Sequence, residues 1–402
     1  MNQCKFWLYQ LLDNIMIMKF ILLFIVSFLA INGFGQPPEN SNSNTTISNQ
    51  GIYQEEETES IDVRMDSVPI RNKQESRDIK KDKASGRIQT KPRSSVFYKA
   101  QSSQLLESES KKVKYQSFSR TPSVESQKVM DSEVEQLRTI DDESFEYHLY
   151  NYVSGNYDVS RQESLFNAAS IDGNNKEVQR LMVANSIVTG DESATKKGLV
   201  KLVKNGTLSK ETISYTEDVL KSANGNDILI THGTNDSYGA IYNQLIDGLA
   251  FGSICIISLD LMKSSSYREL IRAKGFKVPK REVVDIQFFT ELCNLNRNKG
   301  VSISMTLPLA YLKPIASKLV PYGLVLRTGN QKPLCASDLE SLWNNEFNKK
   351  NLTEFTSAES RNYAKNYRPT KVILEEFHDS NKSNHYMKSS GQKSKKVNKK
   401  GN

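Results

Sequence analysis

Seven polar residues in two short stretches carry the types from which a site could be assembled: Thr231, His232, Thr234, Asn235 and Asp236 in the first, Ser258 and Asp260 in the second. Two carboxylates could serve as an acid and base pair or hold a divalent cation. Hydroxyls and an amide beside them suit neutral polyols such as sugars, because each group both donates and accepts hydrogen bonds. His232 has the residue type of a general base, but Ser237 lies in no GxSxG elbow and no Ser, His, Asp order can be traced. The remaining histidines, His148, His378 and His385, fall at no metal-ligand spacing. Gly233 to Gly239 matches neither GxxxxGK[ST] nor GxGxxG, and a carboxylate there competes with phosphate for helix N–H groups. A nucleotide enzyme is therefore disfavoured; we expect no cofactor and no metal, and assign no catalytic residue.

Two strands and a helix must position these residues. Ile228, Leu229 and Ile230 form an apolar run without alternation, as in a strand covered on both faces. Tyr238, Ile241, Tyr242, Leu245, Ile246 and Leu249 then recur at helical spacing, and Ile254 to Leu259 is a second apolar strand. Ligands of parallel α/β folds gather beyond the carboxyl ends of such strands, where both polar stretches lie. If the strands are neighbours, Asp236 and Asp260 are on the order of 5 to 10 Å apart. Asp236 or Ser237 equally suits the N-cap of a helix starting at Tyr238. Val301, Ile303 and Met305 alternate with polar residues as a half-exposed strand, and Leu324 to Leu326 is a fourth; further helices are expected from Tyr267, over 283–295 and over 339–347. The predicted fold class is α/β, a small, mostly parallel four-stranded Rossmann-like sheet over 225–330. An α-helical subdomain precedes it over 141–224, with breaks at Gly190-Asp191 and Gly206 to Ser209. Its phrases Gly155-Asn156-Tyr157 and Ile171 to Asn175 suggest a degenerate tetratricopeptide-like unit. A helical extension over 331–378 follows.

Composition bounds the rest. The 402 residues carry a formal charge of +8 and 37% hydrophobic residues, unevenly spread. Met18-Lys19, the apolar run Phe20 to Ile31 and the small residues before Gln36 form a signal-peptide pattern, so 1–35 are expected to be removed, with translation starting at Met1, Met16 or Met18. Residues 36–140 are rich in Ser, Gln, Glu, Lys and Arg and are predicted to be a disordered linker. Cys255, Cys293 and Cys335 form neither a disulfide framework nor a zinc pattern. The tail, 379–402, has no acidic residue after Asp379 and contains Lys382, Lys388, Lys393, Lys395, Lys396, Lys399 and Lys400. It is expected to be disordered and to favour anionic surfaces; without an aromatic platform, nucleic acid is not an expected partner. No transmembrane segment is expected once the signal peptide is cleaved.

The phrases Thr231 to Tyr242, Ile246 to Gly248, Ile256 to Leu261, Met305 to Pro308 and Leu319 to Leu326 resemble, in order and spacing, the soluble C-terminal region of large Bacteroidetes membrane proteins related to protein O-mannosyltransferases. The likeness covers roughly Asn224 to Arg327. Thr234 stands where that family usually has an acidic residue, and Tyr322 where it has Glu. No membrane-embedded portion like the family's is read in this chain, so its transferase activity is not carried over. The resemblance implies an accessory domain in the periplasm or at the cell surface of a Bacteroidetes-type bacterium. Ser67, in Asp66-Ser67-Val68, resembles the O-glycosylation sequon of that phylum. The expectation is a secreted or periplasmic, non-catalytic domain that binds an envelope glycan or protein partner and is accessory to glycosylation or envelope assembly. The alternatives are a carbohydrate-active enzyme using Asp236 and Asp260, and a scaffold tethered to anionic envelope polymers by its basic tail.

Overall fold

A computed structural model describes residues 118–247, 253–329 and 335–378. At its centre lies β1 (Ile228–Thr231), all four residues of which are buried. It pairs in parallel with β2 (Cys255–Ser258) on one side and β3 (Gly300–Ser304) on the other, with Ile228 level with both Cys255 and Val301. Side chains alternate across this sheet. Ile228, Ile230, Cys255, Ile257, Val301 and Ile303 enter one core, while Leu229 and Ile256 enter the other.

Beyond β3 the sheet departs from expectation. It has five strands in the order β2-β1-β3-β5-β4, and the last two, β4 (Val320–Tyr322) and β5 (Val325–Gly329), run antiparallel to their neighbours. The sheet is thus mixed, not a mostly parallel four-stranded one. The cause is local: β4 and β5 are a hairpin closed at Gly323, whose φ of +58° favours glycine, and hairpins are antiparallel by construction. Pro321 hides β4 from sequence reading, since a proline fits a sheet only at an edge such as this one. A second departure concerns β3, whose serines are not half-exposed. Ser302 and Ser304 are buried, Ser302 Oγ accepting a 2.5 Å hydrogen bond from Asn226 Nδ2.

The helices begin earlier than expected. The strap Phe118–Pro122 and α1 (Val124–Asp141) fall within the stretch expected to be a linker, which therefore does not extend to residue 140. Met130, Val134 and Leu137 form an apolar stripe against Tyr150, diluted by the polar composition around it. Then come α2 (Phe145–Ser154), α3 (Gln162–Ile171), α4 (Lys176–Thr189), α5 (Glu192–Lys204) and α6 (Lys210–Ala223). Their breaks are where the cap residues stand: Asn175, Asp191 and Ser209 each accept a hydrogen bond from a backbone N–H of the following turn. After β1 runs α7 (Thr234–Leu245); α8 (Ser265–Ala273) follows β2, and α9 (Ile286–Leu295) starts at its Asp285 cap, three residues later than expected. A short α10 (Leu309–Leu312) precedes the hairpin. The expected helix over 339–347 is α11 (Ala336–Ser341) continued by a π-turn, Leu342–Glu346, containing Trp343; α12 (Lys350–Thr353), α13 (Ala358–Lys365) and a helix over 368–378 close the described fold.

Helices α4, α5, α8 and α9 cover one face of the sheet, and α6, α11, α13 and the last helix cover the other. Among the described residues no helix is long and apolar enough to cross a membrane. Cys255 and Cys293 are free and buried, Cys335 free and exposed, so no disulfide joins them.

The second layer is held by a buried carboxylate. Asp218 on α6 accepts from the backbone N–H of Asn348 at 2.9 Å and of Lys349 at 3.0 Å, and from the Tyr367 hydroxyl at 2.8 Å. Burial pushes its carboxyl above the usual range, against the pull of these donors. Asp218→Ala strands three donors, so the midpoint of urea unfolding is expected to fall, by about 3 kcal/mol in stability. Asp218→Asn, which keeps an acceptor, is expected to lose less; equal stability of all three proteins would remove this carboxylate as the tie.

Candidate functional site

Both polar stretches lie at the carboxyl end of the parallel strands. Thr231 ends β1 directly opposite Ser258, the end of β2. Helix α7 starts at Thr234 with Gly233 as its N-cap residue, so neither Asp236 nor Ser237 caps a helix from Tyr238. Ser237 Oγ instead donates to the Gly233 carbonyl at 2.7 Å and lies 2.7 Å from Thr231 Oγ1, tying the first turn of α7 to β1. Asp236 is freed from capping and points across the strand end. Its Oδ2 accepts a hydrogen bond from Thr306, whose hydroxyl also lies 2.9 Å from Ser304 Oγ at the end of β3. Burial is the largest influence on Asp236 and raises its carboxyl to about 6, over the opposing effects of Thr306 and Arg120.

A second cluster forms around Asp260. Tyr157 Oη donates to Asp260 Oδ2 at 2.7 Å, and Lys263 Nζ lies 3.0 Å from Oδ1. The Lys263 ammonium also sits over the Tyr157 ring, 5.0 Å from its centroid. Burial alone would raise the Asp260 carboxyl; Lys263, Arg120 and Tyr157 together overcome it and hold the group well below the usual carboxylate range. Tyr157 reaches this position from a backbone with φ of +65°, next to Asn156 at +52°. Two consecutive non-glycine residues in the left-handed region carry a conformational cost, offset here by the bonds they make. Asn156 Nδ2 donates to Gln127 Oε1 at 3.0 Å.

Arg120 brings a further charge to this edge. Its Nη2 meets the His232 ring, 2.7 Å from Nε2. Burial first, and the guanidinium second, depress the imidazole well below its usual range, so His232 is neutral at pH 7. The strap carrying Arg120 is fastened on both sides: its N–H donates to the Val284 carbonyl at 2.8 Å, Val284 N–H donates to Thr121 Oγ1 at 3.0 Å, and Tyr311 Oη donates to the Phe118 carbonyl at 2.6 Å. The segment holding Val284 is itself pinned, because buried Arg268 donates to the carbonyls of Met262, Arg281 and Glu282.

The sheet edge thus gathers all seven residues. Each carboxylate has its own hydrogen-bond donor, Thr306 for Asp236 and Tyr157 for Asp260. Thr234 Oγ1 accepts from Arg180 Nη2 at 2.7 Å; Asn235 lies half-buried at the rim; Ser258 Oγ is buried with no hydrogen-bond partner among the described residues. Sequence reasoning missed Arg120, Tyr157, Arg180, Lys263 and Thr306. Lys263 alone had a local signal, three residues after Asp260, while the others arrive from distant segments. No group of three His, Cys, Asp or Glu residues among the described residues is arranged to hold a metal. Ser67 and the basic tail lie outside the described residues.

The raised Asp236 carboxyl has a thermodynamic signature. A group whose folded pKa exceeds its unfolded value binds its proton more tightly when folded, so stability is fully present below the unfolded value and declines as pH rises through the folded one. Asp236→Asn is therefore expected to gain on the parent between about pH 4 and pH 6, by roughly 2 to 3 kcal/mol at the plateau. Urea midpoints that run parallel across this window would contradict the assignment. Set against protein-family models, curated proteins and solved structures, the chain matches none.

Proposed function

We propose that this chain is a non-catalytic α/β binding domain that acts in the bacterial envelope, secreted or periplasmic, and recognises a glycan or a protein partner there through the carboxyl edge of its sheet. The reading is supported chiefly by how the polar groups of that edge are engaged. Thr231, Thr234, Asp236 and Asp260 bond to other side chains, and His232 faces the Arg120 guanidinium instead of a hydroxyl that it could activate. A surface of pre-positioned, mutually fixed donors and acceptors suits recognition, where rigidity lowers the cost of ordering on binding. Asn235, at the rim, is the residue best placed to meet a ligand first. The likeness of Thr231 to Tyr242 and Leu319 to Leu326 to the O-mannosyltransferase-related proteins is the ground for the envelope setting and for a role accessory to glycosylation or envelope assembly. A tetratricopeptide-like use of α2–α5 as a further protein-binding layer belongs to the same proposal.

A second reading is favoured by one observation: Asp236 and Asp260 are pushed in opposite directions, the first upward to about 6 and the second well below the usual range. Such divergence is what an acid and a base on one enzyme require. On this reading the chain is a carbohydrate-active enzyme of the envelope.

Thermal melting of the full chain with neutral sugars, lipid-linked sugar analogues and divalent cations, run beside turnover assays on the same compounds, separates the two. Binding without turnover is expected, with Asn235→Ala and Asp236→Ala each losing about tenfold in affinity, roughly 1.4 kcal/mol. Turnover that disappears in Asp236→Asn would replace the first reading by the second. Ligand binding untouched by both alanine variants would move the site off the sheet edge.

A further inference from the structure

A groove of about 400 Å³ lies between α9 and the 3₁₀ turn Lys313–Lys318. Ile286, Thr290, Glu291 and Leu295 form one wall and Pro314 the other, and none of the seven candidate residues of the sheet edge lines it. Its surface is mostly apolar. A site for a small ligand places several polar groups so that they converge. Here Glu291 is the one charged lining residue, and it makes no ion pair among the described residues. Such a groove suits the side chains of a passing peptide better than a ligand held by hydrogen bonds.

The two walls are also the elements to which the strap is fastened. Val284, bonded to Arg120 and Thr121, precedes Ile286 by two residues; Tyr311, bonded to Phe118, precedes Pro314 by three. The Phe289 and Tyr311 rings meet edge to face, with centroids 5.7 Å apart, so the walls pack together at that end. The chain upstream of Phe118 therefore sets out from one end of the groove. It reads Lys111-Lys112-Val113-Lys114-Tyr115-Gln116-Ser117 and lies outside the described residues. In an extended chain Val113 and Tyr115 share one face, and Lys112 and Lys114 share the other. At about 3.3 Å per residue, Tyr115 reaches about 10 Å from Phe118 and Val113 about 16 Å. The wall from Ile286 to Leu295 is about 14 Å long. Reach, apolar spacing and charge thus all match this segment to the groove.

We propose that the groove is a docking site for the chain's own segment upstream of the strap, with Val113 and Tyr115 as its apolar anchors and the neighbouring lysines beside Glu291. The docking stands apart from whatever the sheet edge binds. It adds a second fastening to the strap, which otherwise carries Arg120 to His232 on three hydrogen bonds.

The test is brief trypsin digestion of the native full-length chain, with two like bonds compared by mass spectrometry in the same sample. Lys111–Lys112 adjoins the docking segment, and Lys80–Lys81 lies far upstream as the reference. Cleavage tracks the fraction of molecules in which a bond is free, so Lys111–Lys112 is expected to be cut at least about tenfold more slowly than Lys80–Lys81. Leu295→Asp, which puts a charge into the groove, is expected to bring the two rates within about twofold. The double variant Val113→Ser with Tyr115→Ser is expected to do the same, and it leaves both bonds and every described residue unchanged, so the result holds even if Leu295→Asp loosens α9. Equal cleavage of the two bonds in the parent overturns the proposal. So does protection that survives the double variant, or protection that fades on dilution, which would make a second copy the occupant.

Discussion

A strand with parallel neighbours on both sides and no residue in contact with solvent is the constraint from which the rest of this fold follows. β1 is such a strand. Its parallel partners can be reached only by crossovers that leave the sheet and return, and those crossovers are α7 and the α8–α9 segment. Its two buried faces need two apolar layers, which is why helices from before the sheet and from after it are both required. Because β1, β2 and β3 point the same way, their polar carboxyl ends converge at one edge. The candidate site is thus a by-product of the same constraint that builds the core.

Polar groups taken into this core are tied by backbone donors and acceptors more than by ion pairs. Asp218 faces two backbone N–H groups and a phenol; Arg268 faces three carbonyls and lies 5.1 Å from the Phe288 ring centroid. In both, neutral dipoles that the fold already holds in place carry most of the stabilisation of the charge, with Lys221 Nζ, 3.7 Å from Asp218 Oδ1, as the one nearby ion among the described residues. At the sheet edge the pattern changes. There Lys263 pairs with Asp260, Arg120 acts on both Asp260 and Asp236 through its charge, and ionisation behaviour departs from the ordinary values in both directions. A region where charges act on charges responds to small displacements more strongly than one where dipoles hold them.

What was legible in the chain was what neighbouring residues decide. The apolar runs of β1 and β2, the periodicity of α7, and the capping residues at Asp191 and Ser209 were each readable because strand burial, helix faces and N-caps are settled within a few positions. The mixed sheet was not, because the direction of β5 depends on a three-residue edge strand containing a proline. α1 was masked by polar surroundings whose average says nothing about spacing. The first turn of α7 was misjudged at Asp236, since a carboxylate near a helix start suits capping as well as a bond across to Thr306, and only tertiary placement chooses between them. Arg120 and Tyr157 reach the site from far upstream, one on an irregular strap and the other from a strained turn. No local pattern announces a residue of that kind.

The tie from Asp218 to Asn348, Lys349 and Tyr367 also sets an order of events during synthesis. Helices α2 to α5 close on contacts between near neighbours and can condense early, whereas β1 must wait for β3, and its second face must wait longer still for Leu339, Leu342 and Tyr367 to arrive. Until the ribosome has released those residues, Leu229, Ile256 and Val325 are covered by α6 but lack the C-terminal part of their apolar layer. Nascent chains stalled before residue 336 are therefore the form of this protein most in need of a chaperone, and the one most prone to aggregate without it.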